Sequence, residues 1–182
     1  MDRLLIPHRV PKYQPTNIHE VLERVRSLLL AESPHSILIK RDYDLSLPEL
    51  IGDREKLIQA VLNIARNAVQ AMQAHKTANS QITFRTRAER QVTLARKRYR
   101  VAIKLEITDN GPGIPADIRD RIFYPLVSGT EGGSGLGLTL AQTFITQHHG
   151  MIECESEPGN TRFTILLPIE TSAIKPTVVK TQ

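Results

Sequence analysis

The sequence has one cysteine, no tryptophan and no long apolar run, and each absence narrows the class of protein. A single cysteine excludes an internal disulfide, and the alternation of Cys154 with Ile152 predicts a buried, unreactive thiol. No stretch approaches the roughly 20 apolar residues of a membrane-spanning helix, and the N-terminus lacks a signal-peptide pattern. We therefore expect a soluble, cytoplasmic protein with no membrane partner.

Aromatic residues are also scarce, with four tyrosines and four phenylalanines among 182 residues. This scarcity argues against a nucleic-acid partner, because single-stranded nucleic acids are held by stacking on aromatic side chains. The net charge of +5 is concentrated between Arg85 and Arg100, where seven cations accompany Glu89. We interpret this segment as a solvated hairpin, and a docking surface for an acidic protein is the alternative.

The length predicts one domain with short extensions at both ends. Residues 1–16 contain three prolines and no periodic pattern, so we expect a linker there from an upstream dimerisation and phosphoacceptor domain. Residues 17–170 carry the apolar patterns of the folded domain. Residues 171–182 lack a pattern and are expected to be a disordered tail.

Apolar periodicity predicts three main helices and a sheet. Asn17 caps the first helix, Asp53 caps a long second helix, and a third runs from about Gly135 to Gln147. Strands are predicted at 37–43, 81–92, 98–108, 151–156 and 161–167, with a short extended piece within 46–52 and a short helix at 115–121. This order favours an α/β (α+β) two-layer sandwich with helices on one face of the sheet.

Two glycine clusters stand between a predicted strand and a predicted helix. The first, Asp109–Gly113, ends an alternating strand, and the second, Gly132–Gly137, precedes the third helix. Glycine permits close approach of the backbone to a ligand, and a helix start presents free N–H groups to an anion. The clusters therefore predict a phosphate-bearing ligand. The spacing of the second is neither that of a Rossmann turn nor that of a Walker loop.

The second helix carries a strip of amides beside its apolar face. Asn63 and Asn67 lie four residues apart on this strip, near Gln59, Arg66 and Gln70. Asparagine is a poor helix former, so its presence here indicates a function. A carboxamide oxygen suits Mg²⁺, which makes Asn67 the candidate metal ligand. A wet helix face that happens to use amides is the alternative.

These motifs, in this order, resemble the nucleotide-binding core of the GHKL superfamily, which includes histidine kinases, gyrase-type and Hsp90-type ATPases and mismatch-repair ATPases. The segments that resemble its boxes are Asn63–Asn67, Asp109–Gly113, Phe123–Leu126, Gly133–Gly137 and Gly159–Thr161. The resemblance implies a Bergerat-type mixed sheet, covered on one face by three main helices, with a short ATP lid. It also implies the cofactors ATP and Mg²⁺.

The resemblance implies a role for individual residues. Asp109 would accept a hydrogen bond from the adenine amino group with support from Thr161, although a strand-ending turn is the alternative for Asp109. The implied ATP-binding residues are Asn63, Asn67, Gln70, Asp109, Gly111, Gly113, Ile114, Gly133, Ser134, Gly135, Leu136, Gly137 and Thr161. The implied lid residues are Phe123, Tyr124, Pro125, Ser128, Gly129 and Gly132. Many sensor kinases have a basic residue at the position of Gln70, so phosphate contacts are expected to differ here.

Asn63 distinguishes activities within the superfamily. ATP-hydrolysing members have a glutamate at this position, and an amide cannot act as a base. Asn63 and Asn67 are therefore the implied catalytic residues of a kinase whose nucleophile is a histidine. None of the histidines matches the phosphoacceptor pattern of the family: His8, His19, His35, His75, His148 and His149. We expect the acceptor on a separate helical domain outside this chain.

A narrower resemblance is to the nitrogen-regulation sensor kinases of the NtrB type, carried by the short lid and by the segments Arg3–Leu5, Arg41–Asp44, Leu47–Leu50 and Tyr124–Gly129. It implies three partners: the kinase's own dimerisation and phosphoacceptor domain, an NtrC-type response-regulator transcription activator and a PII signal protein. The leading hypothesis is an ATP- and Mg-dependent protein-histidine kinase catalytic domain. A nucleotide-gated interaction module that docks a signalling protein is the alternative, and an autonomous ATPase is a third.

Overall fold

The computed structural model describes residues 12–33, 35–124 and 137–170. The strands in this part are β1 Gln14–Thr16, β2 Leu38–Asp42, β3 Leu50–Gly52, β4 Gln81–Leu94, β5 Lys97–Asp109, β6 Met151–Glu157 and β7 Asn160–Ile169. The helices are α1 Ile18–Glu32, α2 Arg54–Ala74, α3 Ala116–Arg119 and α4 Gly137–Gln147. The expected linker, apart from its last residues, and the expected tail lie outside the described residues.

The main sheet has five strands in the order β2-β4-β5-β7-β6. The β2 and β4 strands run parallel, whereas the other neighbouring pairs are antiparallel. Asp109, at the end of β5, pairs with Ile82 on one side and Thr161 on the other. The predicted mixed sheet is confirmed, and its register brings the first and last of the predicted boxes to the same edge.

The core lies between this sheet and the helices α1, α2 and α4. Helix α1 buries one stripe that includes Val21, Leu22 and Val25, as the 3.6-residue period requires. Strand β5 buries alternate residues, Leu105 and Ile107 among them. Burial of each such aliphatic side chain contributes about 1.5–3 kcal/mol to stability. The expected two-layer α/β sandwich is therefore confirmed.

Both predicted helix caps are present. The side chain of Asn17 accepts a hydrogen bond from the main-chain N–H of His19 at 2.9 Å, and Oδ1 of Asp53 accepts one from the N–H of Lys56 at 3.3 Å. Each bond satisfies an N–H group that has no partner inside its helix. These caps fix where α1 and α2 begin.

The folded domain begins earlier than the sequence predicted. Residues 14–16, assigned to the linker, form β1 and pair antiparallel with β3. Thr16 is buried, and its hydroxyl lies 3.2 Å from the carbonyl oxygen of Gly52. A three-residue strand that contains Pro15 is too short to show alternation, and a proline is tolerated at a strand edge. The lack of periodicity in residues 1–16 therefore placed the start of the folded domain too late.

His148 joins α4 to the start of α2. The side chain is buried, its Nε2 accepts a hydrogen bond from the N–H of Asp53 at 2.9 Å, and Nδ1 lies 2.7 Å from the carbonyl oxygen of Phe144. Since Nε2 accepts, the ring is neutral with its proton on Nδ1. Burial lowers the pKa of His148, which favours this neutral form.

Candidate functional site

Asp109 forms the floor of the candidate site. The residue is 8% exposed, and its Oδ1 accepts a hydrogen bond from the N–H of Gly111 at 2.9 Å. Burial raises the pKa of Asp109, although the Gly111 N–H partly opposes this effect. A buried carboxyl oxygen at the end of a strand can accept a further hydrogen bond from a ligand.

The first glycine box leaves no room for side chains. A Cβ on Gly111 would lie 2.9 Å from Oδ1 of Asp109 and 3.0 Å from Cγ of Met72. Gly113 has φ +85°, and a Cβ there would lie 2.9 Å from the main-chain carbon of Glu157. Both positions therefore require glycine, the first for close packing and the second also for its left-handed backbone.

Thr161 is brought next to Asp109 by strand pairing, but its hydroxyl bonds elsewhere. Its Oγ1 lies 2.7 Å from Oγ of Ser156, and Oγ of Ser156 also accepts a hydrogen bond from the N–H of Ile114 at 2.8 Å. The expected support of Asp109 by Thr161 is thus a support of the loop that follows Asp109. Sequence reasoning missed Ser156, which belongs to no motif.

Asn110, within the first glycine box, has a structural role. Its Oδ1 accepts a hydrogen bond from the N–H of Gln81 at 2.9 Å, and its Nδ2 donates to the carbonyl oxygen of Asn79 at 2.9 Å. These two bonds hold the loop after β5 against the start of β4. They position Asp109 without occupying its free oxygen.

Asn63 connects α2 to the first residue of α4. It is buried, its Nδ2 donates to the carbonyl oxygen of Gly137 at 3.0 Å, and its Oδ1 accepts from Nε2 of Gln59 at 2.6 Å. Donor and acceptor are therefore both engaged. A glutamate in this position could not reproduce the bond to Gly137, because a carboxylate has no hydrogen to donate.

Asn67 and Gln70 lie on the same face of α2, one and two turns beyond Asn63, and both are exposed. Oδ1 of Asn67 lies 3.9 Å from the position that a Cβ of Gly137 would occupy. Asn67 has no hydrogen bond to any residue that the structure describes. No described residue occupies its amide, which lies beside the start of α4, where free N–H groups favour an anion.

The candidate lid begins at a turn that follows α3 and is held by two contacts. Phe123 contacts Phe163 edge to face, with ring centroids 6.3 Å apart, and its carbonyl oxygen accepts a hydrogen bond from Oγ1 of Thr139 at 2.9 Å. Tyr124 is 61% exposed. Several predicted lid and phosphate-loop residues lie outside the described residues: Pro125, Ser128, Gly129, Gly132, Gly133, Ser134, Gly135 and Leu136.

The described part of the chain contains no cluster of three His, Cys, Asp or Glu side chains that could hold a metal ion. Asn67 supplies a neutral oxygen that fits a Mg²⁺ ion whose other ligands are phosphate oxygens and water.

None of the helices in the described part of the chain is long and apolar enough to cross a membrane. Cys154, predicted to be unreactive, is partly buried, and burial raises its pKa to about 12.

The chain matches known proteins across nearly its whole length. It is 51% identical over 169 residues to the sensory histidine kinase/phosphatase NtrB of Vibrio alginolyticus and 48% identical to that of Salmonella typhimurium. It is 43% identical over 166 residues to NtrB of Rhodobacter capsulatus. The first two matches cover 93% of this chain and 48% of the relative. The chain thus spans about half the length of these relatives.

Solved structures share the fold. The mycobacterial sensor histidine kinase MprB is 25% identical, with a TM-score of 0.69, over 86% of this chain and 97% of that one. Full-length ShkA in complex with AMPPNP is also 25% identical, with a TM-score of 0.72, over 90% of this chain and 32% of that one. Residues 52–171 match the family described as histidine kinase-, DNA gyrase B-, and HSP90-like ATPase. Because this match covers well over half of the chain, the chain belongs to that family.

Proposed function

We propose that this chain is the ATP-binding catalytic domain of a protein-histidine kinase in a two-component nitrogen-regulation system. Family membership and the similarity to NtrB kinases support this proposal. The observation that carries it is the amide of Asn63, whose two polar atoms are already bonded to Gln59 and Gly137. The position that would orient a hydrolytic water in an ATPase therefore holds no base.

In the proposed complex, the adenine amino group donates to Asp109, and Gly111 and Gly113 let the backbone approach the base. The phosphates lie along the segment that leads into α4, over the residues at 133–137, with Asn63 and Gln70 beside them. Asn67 would hold Mg²⁺, which would neutralise phosphate charge. The chain itself binds, orients and shields the γ-phosphate, and these are the chief contributions of a protein to phosphoryl transfer.

The proposed acceptor is a histidine on a separate dimerisation domain. Among the described histidines, His148 uses both ring nitrogens inside the fold. The ring of His19 is hydrogen-bonded to the hydroxyl of Thr86. Thr86 pairs across the sheet with Leu105, which precedes Asp109 by four residues in β5. That separation corresponds to about 13 Å along the strand.

The proposed signalling partners are an NtrC-type response regulator and a PII protein, and the proposed compartment is the cytoplasm.

The test combines nucleotide binding with phosphotransfer. The chain and its Asp109→Asn and Asn67→Ala variants are titrated with a fluorescent ATP analogue with and without Mg²⁺. Each chain is then mixed with ATP labelled in the γ-phosphate and a separately expressed dimerisation domain from an NtrB kinase. We expect labelled phosphohistidine with the wild-type chain. Asn67→Ala should weaken Mg-dependent binding about tenfold or more, the effect of losing one ligand to a charged group.

Either of two results would contradict the proposed function and favour another one. Normal ATP binding without labelled histidine favours the nucleotide-gated interaction module. Mg-dependent release of phosphate by the isolated chain favours an autonomous ATPase and contradicts the assignment of Asn63.

A further inference from the structure

Strands β4 and β5 continue beyond the rest of the main sheet as a two-stranded ribbon. The last pair between β2 and β4 is Asp42 with Arg85, and the last pair between β7 and β5 is Ile169 with Val101. The pairing of β4 with β5 continues to Leu94 and Lys97. Each strand therefore extends past its other neighbour, β4 beyond Arg85 and β5 before Val101, and residues 86–100 are here called the basic ribbon.

The basic ribbon carries arginines without acidic partners. Arg90, Arg96, Arg98 and Arg100 are exposed, and none forms an ion pair with a carboxylate in the described residues. In contrast, Arg87 pairs with Asp42 at 2.9 Å and Lys97 pairs with Glu170 at 3.2 Å. Arg87 near the base of the ribbon and Lys97 beside its turn are therefore neutralised, whereas the four exposed arginines are available.

The turn at the tip has an unfavourable sequence. Its two central residues, Ala95 and Arg96, have φ values of 48° and 66°. A two-residue hairpin turn of this shape prefers asparagine and glycine, because other side chains crowd the backbone at positive φ. Arginine at the second position therefore carries a steric cost, which points to a role for its guanidinium group outside the fold.

The ribbon places Arg98 and Arg100 on the same face of β5. Tyr99 is 6% exposed, so its neighbours Arg98 and Arg100 both point to the opposite face of the strand, about 7 Å apart. The side chain of Gln91 orients Arg98, whose Nε donates to Oε1 at 3.2 Å. The ammonium of Lys97 lies 5.1 Å from the centre of the Tyr99 ring. The bond to Gln91 reduces the entropy that the Arg98 side chain loses on binding.

The spacing and composition of the ribbon select the class of partner. Acidic side chains four residues apart on a helix stand about 6 Å apart, which matches the spacing of Arg98 and Arg100. No large apolar or aromatic side chain of the ribbon is exposed, although nucleic-acid stacking and membrane insertion use such side chains. Arginine favours bidentate binding of carboxylates.

We propose that the basic ribbon docks an acidic helix of a partner protein, whose carboxylates four residues apart bind Arg98 and Arg100, with Arg96 beside them. Arg100 precedes Asp109 by nine residues in the same strand, a distance of about 30 Å. The docking surface is thus separate from the candidate nucleotide site and does not depend on the proposed function.

The probe is a fluorescein-labelled helical peptide with glutamates four residues apart on one face. A second peptide has the same composition, with its glutamates distributed around the helix. Fluorescence anisotropy measures their binding to the full chain, to R98Q/R100Q and to the control R24Q/R54Q, which loses the same charge from exposed positions on α1 and α2. Thermal unfolding and ATP binding report on the integrity of each variant.

We expect the patterned peptide to bind more tightly than the rearranged one. R98Q/R100Q should weaken its binding at least about tenfold, as expected for two lost charge-assisted hydrogen bonds, whereas the control should change it by less than about twofold. Equal binding of the two peptides, equal losses in both variants or no binding of either peptide would overturn the proposal. Tighter binding of a DNA duplex or of phosphatidylserine vesicles at the same salt concentration would also overturn it, in favour of that partner.

Discussion

The main-chain N–H of Gly159 donates a hydrogen bond to the carbonyl oxygen of Gly111 at 2.8 Å. This bond joins the turn between β6 and β7 to the loop that follows Asp109. A Cβ on Gly113 would contact the same turn, at the main-chain carbon of Glu157. The loops of the first and last boxes therefore form one packed unit, so a substitution in one loop should also alter the packing of the other.

Gly113→Ala and Gly159→Ala form a matched pair that tests this unit. Both glycines have positive φ, at +85° and +87°, but a Cβ on Gly159 would meet nothing within 4 Å. Gly159→Ala should cost about 1–2 kcal/mol of backbone strain. Gly113→Ala should cost more, because it adds a clash with the backbone of Glu157, and it should also weaken nucleotide binding. Urea unfolding and nucleotide titration measure the two effects, and equal destabilisation by both would contradict the packing argument.

Asp109→Asn should separate stability from binding. Burial raises the pKa of Asp109 in the folded protein, so ionisation of this carboxyl at neutral pH opposes folding. We expect the Asn variant to unfold at a higher temperature at pH 7 and to lose nucleotide affinity. The difference in unfolding temperature should shrink as the pH falls, because the wild-type carboxyl, with its raised pKa, becomes protonated. If Asp109→Asn unfolds at a lower temperature than the wild-type chain at pH 7, ionisation of Asp109 does not oppose folding.

Asn63→Asp tests the hydrogen bond between α2 and α4. The substitution keeps the acceptor for Gln59 but turns a carboxylate oxygen towards the carbonyl oxygen of Gly137. Loss of the donor in a buried position should lower the free energy of unfolding by about 1–3 kcal/mol. The control, Asn67→Asp, changes the same atoms at an exposed position of the same helix and should change it by less than about 0.5 kcal/mol. Similar values for both variants in urea unfolding would show that the Asn63 bond contributes little.

His148 should make stability depend on pH in the weakly acidic range. Its folded-state pKa lies below the ordinary value of 6.5 because the ring is buried. Below about pH 6.5 the unfolded chain therefore binds more protons than the folded chain. As the pH decreases below this value, the free energy of unfolding should fall by up to about 1.4 kcal/mol per pH unit.

Two variants isolate this contribution. His148→Asn should be less stable at pH 7 but show a flatter profile between pH 5 and pH 7. His149→Asn, at an exposed neighbouring position, should keep the wild-type profile. If both variants retain the wild-type slope in urea titrations at several pH values, the slope comes from other groups.

Much of the fold was predictable from periodicity and caps. The caps at Asn17 and Asp53 and the alternation along β5 depend on local chemistry, so they could be assigned from the sequence. Strand β1 could not, because Gln14–Thr16 is stabilised by pairing with β3, more than thirty residues away. Tertiary contacts of this kind leave no local pattern.

The candidate site shows the same division. The glycines of the first box were predictable because a positive φ and a close approach restrict the residue type. The bond of Thr161 to Ser156, and the bracing of Asn110 by Gln81 and Asn79, were not predictable. Serine and asparagine form such bonds in many settings, so their roles depend on neighbours that only the three-dimensional structure provides.

Met72 is 2% exposed on α2 and would touch any side chain placed on Gly111. The floor of the candidate nucleotide site is therefore part of the hydrophobic core. A ligand that binds the folded chain alone adds RT ln(1 + [L]/Kd) to the free energy of unfolding. Because site and core are continuous, nucleotide should slow amide hydrogen exchange along α2 and β5, and not only in the loops that touch it. Exchange measured with increasing nucleotide would then give an affinity without any label on the ligand.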